Sequence, residues 1–71
     1  MPPNEPIHID ARGMKCPWPA LRAARAMRSA QCVTIDADDP IASRELAALA
    51  EQQGWRFIVT AEHRFTLASG G

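Results

Sequence analysis

The order of apolar and polar positions along the chain predicts four short strands and two helices. Runs that are rich in β-branched residues or alternate between apolar and polar are typical of strands, whereas apolar residues three or four apart are typical of amphipathic helices. The strands are predicted at 7–10, 32–37, 55–62 and 64–68. The helices are predicted at 17–30 and 40–53.

Proline and glycine mark where the two helices begin and end. Pro17 and Pro19 would break a helix interior, but they are tolerated in a first turn, where backbone N–H groups lack intrahelical partners. Asp39 is the predicted N-cap of the second helix, with Pro40 at its first position. Gly54 is a natural C-terminal stop. The first helix is therefore expected to begin with a rigid turn.

The element order β-α-β-α-β-β predicts the fold class. Helical crossovers join parallel strands and are right-handed, whereas the short turn near His63 makes the last two strands antiparallel. We therefore expect a two-layer α/β sandwich, in which a mixed four-stranded sheet carries two helices on one face. The carboxyl ends of the first two strands then share the edge where ligands bind in open α/β sheets. Cys16 and the Asp38–Asp39 loop should meet there.

The two cysteines, Cys16 and Cys32, are predicted to lie at opposite ends of the first helix. About 14 residues at 1.5 Å per residue separate them by roughly 20 Å, whereas a disulfide needs Cα atoms within about 7 Å. We therefore expect no disulfide between them. No metal site is predicted, because the sequence has neither a Cys-x₂-Cys nor a His-x₃-His spacing.

The decapeptide 10–19 surrounds Cys16 with features that favour a functional thiol. A helix N-terminus carries about half a positive charge, which favours the thiolate. Arg12 and Lys15 add nearby cations, and Gly13 allows a tight turn. The alternative interpretation is a small, unreactive core cysteine. The doubled proline and the flanking cations favour the functional thiol.

Length and charge limit the number of domains and the classes of partner. The chain has 71 residues, of which 8 are basic and 8 acidic. One domain is predicted at 7–68, between a flexible lead-in at 1–6 and a flexible tail at 69–71. The balanced charge favours neither nucleic acid nor a membrane as partner. Without a long apolar run or a signal-peptide core, the sequence predicts a cytoplasmic protein with reduced thiols.

Three groups of residues near the thiol have both a structural and a functional interpretation. Asp38 and Asp39 either cap the second helix or contact a basic partner, and they would oppose a lowered thiol pKa. The arginines of the first helix form either a solvated face or a docking strip for an acidic surface. These arginines are Arg22, Arg25 and Arg28. Trp18 either fills a gap in the core or anchors a partner beside the thiol.

The pattern Asp-x-x-Gly-x-x-Cys-Pro-x-Pro at the first strand–helix junction resembles the TusA/SirA-like family of small sulfur carriers. Its positions in this chain are Asp10, Gly13, Cys16, Pro17 and Pro19. Two further features match the family, namely Asp38-Asp39-Pro40 at the next strand–helix junction and Gly54 at the end of the second helix. The resemblance extends from about residue 7 to residue 67. Trp18 departs from it, since family members more often carry an acidic, polar or aliphatic residue there.

The resemblance implies a persulfide relay on Cys16, in a carrier of the sulfurtransferase type rather than a turnover enzyme. The thiolate would accept sulfane sulfur from a cysteine desulfurase or a rhodanese-like donor and pass it to an acceptor protein. No cofactor is expected beyond the covalently held sulfur. Pro17 and Pro19 would hold the first turn rigid, while Arg12 and Lys15 would stabilise the anion.

Partner contacts are implied for the helix face beside the thiol and for the acidic loop. The residues concerned are Trp18, Leu21, Arg22, Arg25, Asp38 and Asp39. Family outlets are tRNA thiolation, molybdenum-cofactor maturation, and sulfur or selenium metabolism. A monomer is expected, and direct tRNA binding is not, because the domain is not basic overall. Two rival functions stay open: an interaction or regulatory module with a structural Cys16, and a thiol redox sensor.

Overall fold

The computed structural model describes residues 7–69, and these form four strands and two helices in the predicted order. The strands are β1 (Ile7–Asp10), β2 (Cys32–Asp36), β3 (Arg56–Ala61) and β4 (Arg64–Ala68). The helices are α1 (Trp18–Ala26) and α2 (Ala42–Gln53). The predicted lead-in at 1–6 and the Gly70–Gly71 part of the predicted tail lie outside the described residues. Ser69, also placed in that tail, donates its backbone N–H to the Gln31 carbonyl oxygen (2.8 Å).

The sheet has the strand order β1-β2-β4-β3. β1 and β2 are parallel, with Ile7 opposite Val33, whereas β4 runs antiparallel to both β2 and β3. The two helices contact each other, and they pack on one side of the sheet. The predicted two-layer sandwich, with its mixed sheet and both helices on one face, is therefore confirmed.

The core lies between the helices and the sheet because each element is apolar on one side only. The sheet contributes alternate residues of β2 and β4, which are Val33, Ile35, Phe65 and Leu67. Ala23 of α1 and Leu46 of α2 are fully buried against this layer. Small alanine side chains such as that of Ala23 allow α1 to pack closely on the sheet.

The first helix is shorter than predicted. α1 ends at Ala26. Beyond its C-cap residue Met27, two successive N–H groups bond to carbonyls three residues back. Arg28 N–H donates to the Arg25 carbonyl oxygen (3.2 Å), and Ser29 N–H donates to that of Ala26 (3.2 Å). Such i→i−3 bonds tighten the chain into a turn that no longer continues the α-helix.

The second helix begins later than predicted. Pro40 and Ile41 form a turn before it, in which Ala42 N–H donates to the Asp39 carbonyl oxygen (3.0 Å). The Asp39 carboxylate still accepts a backbone N–H at this end, from Ile41 (2.8 Å). Within residues 7–69, neither helix is long and apolar enough to cross a membrane.

The third strand packs on the core along only part of its length. Trp55, Phe57 and Val59 alternate in sequence with Arg56, Ile58 and Thr60, so they share the side of the strand that lies towards the core. Trp55 and Phe57 pack against it, and Phe57 stacks on Phe65 with 5.8 Å between ring centroids. Val59, in contrast, is 58% exposed. Val59 keeps its regular pairing opposite the buried Phe65, and the pairing shifts only after it, between Val59 and Ala61. Its exposure therefore goes with its place on an edge strand of the sheet.

Candidate functional site

Cys16 lies exposed in the loop between β1 and α1, directly before the residue that caps α1. Pro17 is that N-cap residue, and its peptide bond with Cys16 is cis. Pro19 is buried in the first helical turn. Trp18 N–H donates to the Lys15 carbonyl oxygen (2.9 Å), which closes a turn around the cysteine. The predicted position of the thiol, on a strand-to-helix turn at a helix N-terminus, is confirmed.

Two backbone hydrogen bonds fasten this loop to the loop between β2 and α2. Gly13 N–H donates to Asp38 Oδ1 (2.9 Å), and Cys16 N–H donates to Asp39 Oδ2 (3.0 Å). The other oxygen of Asp39 accepts from Ile41 N–H at the start of α2. Gly13 has a φ of +82°, a conformation that side-chain-bearing residues rarely adopt. The prediction that Cys16 meets the Asp38–Asp39 loop at one edge of the sheet is therefore confirmed.

The Cys16 thiol itself contacts Glu45, whose side chain comes from the first turn of α2. Cys16 Sγ donates a hydrogen bond to Glu45 Oε1. This carboxylate reaches the thiol because the two loops are joined at the amino end of α2. The site is thus a cysteine held between two helix N-termini, with one carboxylate on its backbone N–H and another on its sulfur.

Sequence reasoning missed Glu45, since it depends on how α2 is oriented towards the β1–α1 loop. The signal that could have found it is topological. α2 starts where β2 ends, at the sheet edge predicted to hold Cys16, so an acidic residue in its first turn belongs to the candidate neighbourhood. The apolar pattern of α2 marks the buried face and gives no information about the residues that flank it.

These carboxylates raise the pKa of the Cys16 thiol above its ordinary value. The hydrogen bond to Glu45 is the largest cause, followed by partial desolvation and by charge repulsion from Glu45 and then Asp39. A carboxylate that accepts the S–H proton stabilises the neutral thiol, and its negative charge disfavours a thiolate. Of the two opposing influences expected on the thiol, the neighbouring carboxylates therefore outweigh the flanking cations.

The predicted support of the Cys16 anion by Arg12 needs correction. The Arg12 guanidinium forms two hydrogen bonds with Asp10, Nε to Oδ1 (2.9 Å) and Nη2 to Oδ2 (3.0 Å). These bonds hold the pKa of Asp10 at about 2. Arg12 is thus paired with the motif aspartate rather than with the thiol. The charge of Lys15 acts on Asp39, where it helps the larger backbone hydrogen bonds to lower the carboxyl pKa.

An exposed apolar surface runs along α1 beside the thiol. We call it the α1 groove, and it is lined by Ile9, Trp18, Leu21, Arg22, Arg25 and Ala26. Trp18 is 60% exposed and Leu21 is 51% exposed. The interpretation of Trp18 as a core residue is therefore wrong. The structure brings four residues predicted to bind partners into one surface that begins two residues after Cys16.

A cluster of charged side chains lies on the face of the sheet opposite the helices. Asp36 accepts hydrogen bonds from Arg64 Nε (2.7 Å) and Nη2 (3.3 Å) and contacts His8 Nε2 (2.9 Å). Mainly because of the Arg64 bonds, the pKa of Asp36 is about 2. Its neighbours Thr34 and Thr66 join their hydroxyls across β2 and β4 (3.1 Å). Sequence reasoning assigned no role to this cluster.

Cys32 stands apart from this site. It begins β2, at the opposite end of α1 from Cys16, and it is half-buried. Both thiols are free. Among residues 7–69, no group of three or more His, Cys, Asp or Glu side chains is arranged to hold a metal ion.

Comparisons with known proteins agree with the motif and with the fold. A family model described as "Sulfurtransferase TusA" matches residues 7–68. A sulfur carrier protein TusA from Allochromatium vinosum is 41% identical over 49 residues, which are 65% of this chain and 64% of that protein. The crystal structure of a SirA-like protein from Desulfitobacterium hafniense superposes with a TM-score of 0.77 at 29% identity, over 92% of this chain and 99% of the other. The chain thus matches slightly less than two thirds of the curated relative's length.

Proposed function

Because this chain belongs to the TusA family, we propose that it is a sulfur carrier in which Cys16 holds a sulfur atom as a persulfide. The observation that carries the proposal is the exposed thiol of Cys16 at the tip of α1, inside the family motif. A carrier has to present its sulfur to two different proteins in turn. A solvent-exposed cysteine on a loop that is tied down on both sides meets this requirement.

The uptake step is an exchange between a persulfide on the donor and the thiol of Cys16. The Cys16 thiolate attacks the outer sulfur of a donor persulfide, R–S–SH, and the donor's S–S bond breaks. The donor cysteine leaves as a thiolate and takes up the proton lost by Cys16. The sum is R–S–SH plus Cys16–SH giving R–SH plus Cys16–S–SH, with no net oxidation. Delivery repeats the same exchange with Cys16 as the donor and an acceptor cysteine as the nucleophile.

The fold supports this exchange by limiting the movement of the loop. Gly13 and Cys16 are each hydrogen-bonded to an aspartate of the β2–α2 loop, and Pro17 fixes the backbone torsion where α1 begins. A nucleophile held in one position loses less entropy when a partner aligns with it. Asp38 and Asp39 therefore have a structural role, and their contact with a partner remains a prediction.

The α1 groove is the proposed docking surface for the donor and the acceptor. Trp18 and Leu21 offer apolar area next to the thiol, and aromatic residues frequently dominate binding energy in interfaces. Arg22 and Arg25 border that area, which suits partners with an acidic surface. We propose a cysteine desulfurase or a rhodanese-like protein as donor, and an acceptor protein in tRNA thiolation, molybdenum-cofactor or sulfur metabolism. The carrier would act in the cytoplasm as a monomer, without binding nucleic acid itself.

Intact mass after incubation with a cysteine desulfurase, pyridoxal phosphate and cysteine tests the proposal. The wild-type protein should gain one sulfur atom, about 32 Da, that a reducing agent removes. Cys32→Ser should gain the same mass, because Cys32 lies at the other end of α1. Cys16→Ser should gain none.

Each rival function predicts a different result in this experiment. A redox sensor would form mixed disulfides through Cys16 under an oxidant and would not gain sulfur from the desulfurase. An interaction module with a structural Cys16 would neither gain sulfur nor react with an alkylating reagent in its folded state. A sulfur gain that persists in Cys16→Ser would contradict the proposed site.

A further inference from the structure

Glu45 of α2 contacts the proposed sulfur-bearing atom. Its Oε1 accepts the hydrogen bond of Cys16 Sγ. It is half-buried in the first turn of α2. No motif of the sequence analysis includes it, and the sulfur-exchange steps described above do not use it.

The position of Glu45 follows from the way two loops are joined. Cys16 N–H and Ile41 N–H donate to the two oxygens of the same carboxylate, that of Asp39. The N–H of Glu45 donates to the Ile41 carbonyl oxygen (3.0 Å), so the Glu45 backbone belongs to the turn that Asp39 holds. Hydrogen bonds to the Asp39 carboxylate therefore fix the positions of both the Cys16 backbone and the turn that carries Glu45. These hydrogen bonds limit the relative movement of the two backbones, and this brings the side chains of Cys16 and Glu45 into contact.

The charges around the thiol come from three elements. Glu45 belongs to α2, Asp39 to the β2–α2 loop, and Lys15 to the β1–α1 loop, where it precedes Cys16. The nearby guanidinium of Arg12 is bonded to Asp10. Two carboxylates therefore act on the sulfur and on its backbone N–H, and the described contacts give the sulfur itself no cationic partner.

We propose that Glu45 is a positioning residue that holds the resting Cys16 side chain as a hydrogen-bonded thiol and so limits its reaction with adventitious electrophiles. This inference rests on the proposed sulfur carriage and describes how the same site is kept unreactive between transfers. A thiol reacts with alkylating and oxidising agents through its thiolate. A carboxylate in contact with the S–H group stabilises the proton there and repels the anion that would form. The raised pKa of Cys16 agrees with this geometry.

The test is the pH profile of alkylation by iodoacetamide, measured on Cys32→Ser so that only Cys16 reacts. Glu45→Gln keeps the shape of the side chain but removes its charge, and it should move the midpoint of the profile to lower pH. A fall of one pKa unit gives about ten times more thiolate at pH 7. Since each thiolate is then about three times less nucleophilic, the alkylation rate should rise about threefold.

Glu51→Gln is the matched control. Glu51 lies exposed on the same helix, and its substitution removes the same charge. Its profile should coincide with that of the parent. A midpoint in Glu45→Gln that is unchanged or higher than that of the parent would overturn the inference. If circular dichroism shows that Glu45→Gln does not fold, Glu45→Asp replaces it as the test variant. The aspartate is shorter by one methylene, so its carboxylate is withdrawn from the thiol and the midpoint should again fall. An unchanged midpoint would overturn the inference.

The two proposals fail in different ways. Sulfur loading on Cys16 with an unchanged alkylation midpoint in Glu45→Gln would contradict the role of Glu45 and leave the sulfur carrier intact. A lowered midpoint in Glu45→Gln without any sulfur loading of the wild type would contradict the sulfur carrier and leave the effect of Glu45 on the thiol intact. Sulfur loading is measured by mass spectrometry and the alkylation midpoint by reaction rates, so each proposal is tested independently of the other.

Discussion

Asp36 and Arg64 form an ion pair on the face of the sheet opposite the helices, with 2.7 Å between Arg64 Nε and Asp36 Oδ1. Asp36 has a pKa of about 2, largely because Arg64 donates two hydrogen bonds to its carboxylate. A carboxyl group with a lowered pKa in the folded state adds stability above its ordinary pKa of about 4. That contribution is lost as the pH falls from about 4 to about 2.

We predict that Arg64→Gln loses less stability than the wild type as the pH falls from 4 to 2. Without the guanidinium, the pKa of Asp36 should rise towards its ordinary value, so the variant is less stable than the wild type at neutral pH. The difference between them should shrink as the pH falls from 4 to 2. Urea unfolding midpoints across that range measure it. Arg56→Gln, on exposed β3, is the control, and the difference between its unfolding midpoint and that of the wild type should not change with pH. A pH-independent difference for Arg64→Gln as well would refute the prediction.

At the scale of single residues, the sequence located the thiol but not its electrostatic environment. The motif identified Cys16 and its helix start. Neighbours in sequence suggested cations around it, yet Arg12 is paired with Asp10, two residues away. The residue that does contact the sulfur, Glu45, lies far along the chain on another helix. Such a contact depends on the relative placement of two elements, which local patterns do not contain.

At the scale of elements, the C-terminus of α2 shows how far a single residue type predicts structure. Gly54 was predicted to stop this helix, and it does so in the left-handed conformation with φ +77°. Its N–H lies within reach of the Ala50 and Glu51 carbonyl oxygens, and Trp55 N–H donates to Ala50 (2.8 Å). Glycine is favoured here because it has no Cβ to strain a positive φ.

We predict that Gly54→Ala destabilises the protein by about 1 kcal/mol. A Cβ at this position would meet nothing within 4 Å, so the cost comes from the backbone conformation alone. Gly54→Asn should cost less, because asparagine tolerates the left-handed region better than alanine does. Urea denaturation of the three proteins measures the order. An alanine variant as stable as the asparagine variant would show that backbone strain is not the cause.

Other element boundaries were less predictable from local signals. The alanine-rich pattern continues past the point where α1 tightens into a turn at Ala26. Pro40 was expected to open α2, whereas it belongs to a turn that precedes the helix. The alternation of β3 did not reveal the register shift after Val59. At the two helices local hydrogen bonds decide the boundary, and at β3 the pairing with β4 decides it. In each case the residue pattern is compatible with more than one outcome.

At the scale of the whole molecule, topology was predictable because few arrangements satisfy its rules. Two helical crossovers and one tight turn lead to a mixed sheet with both helices on one face, as observed. The same rules place the ends of β1 and β2 at one edge, which explains why Cys16 and Asp39 meet. The α1 groove results from this arrangement, since β1 is an edge strand and leaves the side of α1 near Trp18 uncovered.

The central claim is that Cys16 holds sulfur that it can give up again, and a release experiment tests it most directly. The protein is loaded by a cysteine desulfurase, separated from it, and then treated with cyanide as a small sulfur acceptor. We expect about one equivalent of thiocyanate per molecule from the wild type and from Cys32→Ser, with the intact mass returning to its unloaded value. Cys16→Ser should release none. Thiocyanate from Cys16→Ser, or a sulfur gain in the wild type that cyanide does not remove, would contradict sulfur carriage on Cys16.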